Sequence, residues 1–262
     1  MPIDLGSTVT VSWSPPEAET HSVTLTVTKP DGTEESPTPT SNDGTYSATF
    51  EGDIPGRYLL TWRDTSVRYT DVVDVWPADP RFLISFEDAV AALQWRETDR
   101  NSPNGESLRL YIAAATPVIE DLVGAVLVSS RTEFHDGGKI GVALSQRPSE
   151  LISVEVDGTE VSGCVVNERS MIVYRGKNNE RFAPGRQVVK VTYKTGTSEV
   201  PPNIQLATRE LVRHLWQIGQ QVLSGEPVHY GERPMGTTPS GFAVPKRVIE
   251  LCASNFRMPG IA

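Results

Sequence analysis

Residues 188–217 read VVKVTYKTGTSEVPPNIQLATRELVRHLWQ, a strand, a break and a helix in immediate succession. Val189, Val191 and Tyr193 alternate with polar residues, the period of a strand with one buried face. Pro201-Pro202-Asn203 then ends the extended run. Ile204, Ala207, Leu211, Leu215, Ile218 and Val222 recur every three or four residues, with Gly225 available as a stop. The spacing predicts a helix over about 203–223, and a strand feeding directly into it points to an α+β fold class.

Upstream of this stretch the alternation extends back through Val126 to Gly196. It is clearest in Ile152, Val154 and Val156, which lead into Asp157-Gly158 and Val161. Residues 126–196 therefore read as a β-hairpin or β-sheet insertion between helices. Before it, Leu108, Tyr111, Ile112, Ala115, Ile119 and Leu122 share one stripe of a helix over 106–123, with Gly124 as its stop and Pro117 expected to kink it. Ser85 followed by Asp88 is a variant capping box and places another helix over 85–95. Downstream, Pro245 suits the first turn of a short helix over 245–254 carrying Val248, Leu251 and Cys252, followed by a tail over 255–262. Residues 225–243 contain four glycines and three prolines without an apolar period, and read as an extended loop.

The first third is different. Val9, Val11 and Trp13, then Val23, Leu25 and Val27, then Tyr46, Ala48 and Phe50, then Tyr58, Leu60 and Trp62 each alternate with polar residues. Asp31-Gly32 and Asp43-Gly44 supply the positive φ angles of tight turns between them. The pattern resembles an immunoglobulin-like β-sandwich over residues 1–78, although no cysteine precedes Cys164, so the intersheet disulfide of antibody domains is missing. Trp76-Pro77-Ala78-Asp79-Pro80 interrupts strand pairing and separates this domain from a second over 79–262.

Charge divides the same way. The net charge is −9, with 12 acidic and 4 basic residues in the first 78 positions against 21 and 20 in the remainder. Phosphate-gripping grooves need clustered Lys and Arg, so the balance argues against one and leaves passive passage of DNA compatible. The two cysteines, Cys164 and Cys252, lack metal-ligand spacing and read as reduced, inert thiols. The opening MPIDLGSTVTVSWS lacks a signal peptide's charged start and apolar run, and no segment approaches a membrane span of about 18 apolar residues.

Catalytic patterns are missing from the linear sequence. His21, His135, His214 and His229 form no metal-binding motif; Glu210 and His214 share a helical face, where a surface ion pair is the simpler reading. Gly137-Gly138-Lys139 lacks the Walker residues, with Glu133 and Ile140 where Gly and Ser or Thr would stand, and reads as a hairpin turn. Glu87-Asp88 and Glu120-Asp121 fall on predicted helix surfaces. Arg169, Arg175, Lys177, Arg181 and Arg186, interleaved with Tyr174 and Phe182, make the nearest approach to a nucleic-acid patch, diluted by Glu168 and Glu180. No catalytic, cofactor or metal site is expected, and an enzyme is not the expected reading.

Four strings bring in a family: FLISFEDAVAALQW at 82–95, LRLYIAAATPVIEDLVG at 108–124, the 188–217 stretch itself, and GFAVPKRVIEL at 241–251. In this order, with the β insertion between them, they resemble the head-to-tail connector (adaptor) proteins of tailed bacteriophages, closest to connectors of actinobacterial siphophages. Residues 1–78 have no counterpart in a minimal connector, and Thr116-Pro117 interrupts its second helix. The resemblance implies a ring homo-oligomer, a dodecamer in the family, sited in the virion neck. It would dock below the portal protein, present a surface to the next neck or tail protein and surround the DNA channel, after assembly in the host bacterial cytoplasm. Phe242, Val244, Pro245, Phe256 and Met258 are the candidate portal or neighbour-subunit contacts, because apolar residues flanking the last helix want a partner. A secreted or cell-surface β-sandwich binding protein is the alternative suggested by residues 1–78.

Overall fold

The computed structural model describes residues 2–16, 22–65, 67–95, 103–177, 180–224 and 243–255. It is mixed α+β, with helices and several antiparallel sheets. The chain divides into two compact units, with a boundary between Pro80 and Arg81; the first turn of the helix that starts at Pro103, up to Ser107, groups with the first unit and the rest of that helix with the second.

The first unit contains β1 (Thr8–Trp13), β2 (Thr24–Thr28), β3 (Glu34–Glu35), β4 (Thr40–Asn42), β5 (Thr45–Glu51), β6 (Gly56–Arg63) and β7 (Arg68–Val75). They form two antiparallel sheets, ordered β1-β5-β4 and β3-β2-β6-β7, and Ile3 adds a parallel bridge to Val75. Asn42 pairs with Thr45 across Asp43 (φ 46°) and Gly44 (φ 77°), a two-residue turn whose two positive φ angles match the twist of the flanking strands. The alternating residues meet in one core: Val9, Ala48 and Phe50 from one sheet, Leu25, Val27, Tyr58, Leu60 and Trp62 from the other. Tyr58 is fully buried, and its hydroxyl donates to Asp53 Oδ1 at 2.9 Å while accepting from the Ile54 amide at 2.9 Å. A buried phenol is thereby satisfied at the corner leading into β6.

In the second unit, α1 (Phe86–Leu93) begins as its cap residues specify: the Ser85 side chain accepts from the Asp88 amide. It stops two residues short of Trp95, at Gln94 in the left-handed region (φ 55°). The next helix, α2 (Pro103–Val123), starts earlier than its apolar stripe and runs on through Pro117 without a break in the helix. Leu108, Ile112, Ala115 and Ile119 form its buried face. Gly124 closes it at φ 85°, its amide donating to the Glu120 carbonyl at 2.8 Å.

The insertion is built from β8 (Ser129–His135), β9 (Gly141–Ala143), β10 (Pro148–Val156), β11 (Thr159–Glu160), β12 (Val165–Asn167), β13 (Ile172–Tyr174) and β14 (Val189–Thr195). One sheet is ordered β11-β10-β14-β8 and a second β12-β13-β9, and Val142, Leu144 and Val173 share a core with Val154, Val189, Val191 and Tyr193. Two expectations fail here. Gly137-Gly138 is no hairpin turn, because β8 and β9 belong to different sheets; the Gly137 and Gly138 amides donate to the Gly185 and Phe182 carbonyls instead. Ile152 does not share the buried face of Val154: a register shift between Leu151 and Ser153 turns it outward, leaving it 46% exposed.

After the insertion come α3 (Pro202–Ser224), α4 (Lys246–Cys252) and a 3₁₀ turn at Ala253–Asn255. Ile204, Ala207 and Leu211 are buried as expected, but Ile218 is 38% exposed and Trp216 faces the core in its place. Edge-on packing against Trp95 and Tyr111, with ring centroids 4.9 and 5.5 Å away, holds Trp216 there. Pro245 is the residue before α4 (ψ 138°) rather than part of its first turn. Among the described residues, no helix is long and apolar enough to cross a membrane.

Candidate functional site

Of the five predicted contact residues, Phe242, Phe256 and Met258 lie outside the described residues. Val244 is half-buried and packs against the helical core. Pro245 is half-buried, and its carbonyl accepts from the Val248 amide at 2.9 Å and the Ile249 amide at 3.2 Å, starting α4. Val248 and Cys252 are buried, and Asn203 at the start of α3 donates to the Leu251 carbonyl at 2.9 Å. The short helix is thus pinned to α3, and the chain on either side of it leaves from a fixed place.

A second organised feature is the base of the β insertion. The Glu120 carboxylate, from the last turn of α2, accepts from the Val126 amide at 3.0 Å and pairs with the Arg81 guanidinium at 2.9 Å. Thr116, next to Pro117, donates its hydroxyl to the Arg81 carbonyl at 2.9 Å. Beyond the insertion, the Thr197 amide donates to the Val126 carbonyl at 2.9 Å, and Leu127 bridges Thr197 in parallel. The two ends of the insertion are therefore fastened to each other and to α2. The sequence reading placed Glu120 on a solvated helix surface; its i+6 relation to Val126 across a glycine stop was the available signal.

Inside the insertion sits a carboxylate that no motif announced. Glu133 on β8 accepts from the Tyr193 hydroxyl at 2.5 Å, from the Ser145 amide at 3.1 Å and from the Ser145 hydroxyl. His135 Nε2 lies 3.3 Å from its other oxygen. Burial works to raise the Glu133 carboxyl, but the hydrogen bonds from Ser145 and Tyr193 outweigh it, and its pKa lies below the ordinary value. Burial and the adjacent carboxylate push Tyr193 up to about 12, so it stays a donor. Glu133 separates Ser145 from His135, the wrong order for a nucleophile activated by an imidazole base, which needs serine and histidine in direct hydrogen bond. The arrangement staples strands together. Because the folded pKa is depressed, this contribution is present above the unfolded value and is lost as pH falls through the folded one. We expect the stability difference between wild type and Glu133→Gln, measured by urea denaturation, to shrink steadily as pH is lowered below about 5. A difference independent of pH would contradict the assignment.

The remaining chemical candidates disperse. Glu210 pairs with Arg213 at 2.6 Å and lies 3.8 Å from Arg247, rather than engaging His214. Phe182 is buried in the core, Tyr174 is half-buried, Arg175 lies 3.7 Å from Glu180, and Arg181 donates to the Gly138 carbonyl at 3.2 Å. No group of three metal-ligating side chains occurs among the described residues. Cys252 is buried and Cys164 partly so; burial pushes both thiols up.

On the outer face of the larger insertion sheet, Lys190 pairs with Glu155 at 2.9 Å and Lys194 with Glu150 at 2.7 Å, while Phe134 on the edge strand β8 is 58% exposed. A cleft of about 750 Å³ lies between the end of α2, the start of β10 and the 3₁₀ turn; Gly124, Ala125, Pro148, Glu168, Met171 and Asn255 are among its walls.

No protein-family model matches this chain, and no curated protein matches it. The crystal structure of amylomaltase from Corynebacterium glutamicum is similar over 36% of this chain and 14% of that one, at 16% identity and a TM-score of 0.23. At that TM-score the likeness carries neither fold nor activity across.

Proposed function

We propose that the chain is a structural virion protein, a head-to-tail connector whose ring joins the portal to the next neck or tail protein around the DNA channel. The observation that carries this reading is the order of the second unit: two helices, a β insertion fastened at its base, a long helix and a short pinned one. That order, joined to the four sequence strings, is the one the connector resemblance implies. A closed ring needs two different faces on each subunit. The insertion and the helical core provide faces of different character: paired charges with exposed Phe134 on one, helix surfaces on the other. Phe242, Phe256 and Met258, on either side of α4, are the portal or neighbour contacts under this reading.

The first unit is read as an immunoglobulin-like sandwich. The orders β1-β5-β4 and β3-β2-β6-β7, with the parallel bridge from Ile3 at the β7 edge, support that reading. Tyr58 bonds back to the Ile54 amide as a tyrosine corner does, and Leu60 stands two residues on, where antibody domains carry cysteine. It forms an acidic module added to the connector.

The reading is tested by co-sedimentation with the portal protein encoded in a neighbouring reading frame. The intact chain is expected to travel with the portal, and deletion of residues 256–262 to weaken that association by tenfold or more in ~0.15 M salt, as loss of apolar anchors does. Unchanged association of the truncated chain would remove the tail from the interface. A genome neighbourhood of secretion genes would favour the cell-surface alternative.

A further inference from the structure

The larger insertion sheet ends on one side at β8, which pairs with β14 from Ser129↔Thr195 to His135↔Val189 without a register shift. Among the described residues no strand lies on its other side, and its backbone makes no bond beyond that ladder. A strand of seven residues thus leaves a row of amides and carbonyls facing outward. Such edges are ordinarily blunted by shortness, bulges, proline or lysine. The opposite edge of the same sheet is blunted in this way: β11 has two residues, and β10 beside it carries register shifts. β8, SSRTEFH, has none of these devices, and Ser130, Thr132 and Phe134 on its outer side are exposed.

The sequence of β8 indicates what fits there. It is self-complementary about Thr132: turned end for end, it sets Arg131 opposite Glu133, Ser130 opposite Phe134, Ser129 opposite His135 and Thr132 opposite itself. Pairing two copies about an axis perpendicular to the sheet keeps outer residues with outer ones, so the axis passes through a residue rather than between two. Centred on Arg131 or on Glu133, the ladder would oppose like charges, which destabilises it; centred on Thr132, it makes two Arg–Glu pairs. Both charges are in place. Arg131 is 46% exposed and lies 3.7 Å from its own Glu133, too far for a hydrogen bond, while Ser145 and Tyr193 hold the Glu133 carboxylate on the same side of the strand.

We propose that the free edge of β8 pairs with β8 of a second copy of this chain, antiparallel and centred on Thr132, joining two four-stranded sheets into one. Arg131 then faces the partner subunit's Glu133, and Phe134 lies opposite the partner subunit's Ser130 on the outer face. The inference does not rest on the connector reading. Neighbours in a cyclic ring are not related by a two-fold axis, so a ring contact and this one leave different signatures.

The test is Thr132→Cys in the intact chain. Opposed residues of an antiparallel ladder have Cα atoms about 4.5–5.5 Å apart, within disulfide reach. With oxidised glutathione as the electron acceptor, a dimer linked through position 132 is expected, identified by mass spectrometry of the joined peptide. Ser130→Cys should not link to itself, because its two copies would stand four residues, about 13 Å, apart. Without added cysteines, sedimentation equilibrium at up to ~0.5 mM is expected to show monomer and dimer, as for a small interface. Arg131→Glu should weaken that association by about tenfold or more, since two attractive pairs become repulsive, and Arg131→Lys should retain it. A strictly monomeric wild type overturns the proposal, as do equal cross-linking at positions 130 and 132 and an association indifferent to Arg131→Glu. Rings that form while Thr132→Cys fails to cross-link would leave the connector reading standing and remove this one.

Discussion

Gly196→Ala is expected to destabilise the second unit by about 3 kcal/mol or more, read as a lowered urea midpoint with an unchanged slope. Gly196 has φ 79°, and a Cβ there would collide with the Leu127 carbonyl oxygen and carbon, which are backbone atoms without an easy retreat. The collision falls at the parallel bridge that fastens the two ends of the insertion, so relief would have to break the Thr197 to Val126 hydrogen bond. Gly158→Ala separates the two contributions. Gly158 has nearly the same φ, 78°, but open space around the added carbon, so its cost is the left-handed backbone alone, about 1 kcal/mol. Equal losses at both positions would show that the closure at Leu127 contributes nothing.

Trp62→Ala is expected to cost about 3–5 kcal/mol, the range for removing a buried aromatic side chain. Trp62 is 1% exposed, pairs across the sheet with Leu25 and lies 6.1 Å from the Trp13 ring. The two cysteines, at positions 164 and 252, both lie outside the first unit, so no disulfide offsets the loss there. A unit of some 80 residues has little stability to spare. Trp62→Phe, which keeps much of the volume, should cost about 1–2 kcal/mol. Thermal unfolding of the full chain followed by near-ultraviolet circular dichroism reports both; a Trp62→Ala transition within ~1 kcal/mol of wild type would contradict the core assignment.

What was legible in the sequence were the local regularities. Alternation in Val9, Leu25, Phe50 and Trp62 marked the buried side of each strand, and Asp43-Gly44 and Asp157-Gly158 marked turns because few residues tolerate positive φ. The stripe from Leu108 to Ile119 gave the buried face of α2. What was hidden depends on chain segments far apart in sequence. The bulge beside Ile152 arises in pairing with β14, some forty residues downstream, and no period within β10 reports it. Glu133 entered the sequence reading only as a mismatch to a Walker motif, because Tyr193, its partner, is 60 residues away. Ile218 and Trp216 changed places because the aromatic cluster with Trp95 and Tyr111 accepts a flat ring better than a branched chain. Val244, among the contact candidates, is half-buried against the helical core, a placement that depends on tertiary packing and that no local pattern reports.

The connector reading makes the assembled state the functional one. The insertion is closed at its base beside Gly196, and α4 is pinned to the start of α3, so each subunit would bring both to the ring in the same arrangement. Electron microscopy of the purified chain, alone and mixed with the portal protein from the same genome, tests this most directly. The account predicts a closed ring, dodecameric as in connectors, coaxial with the portal channel in the mixed sample. Particles that remain monomeric in both samples would contradict it.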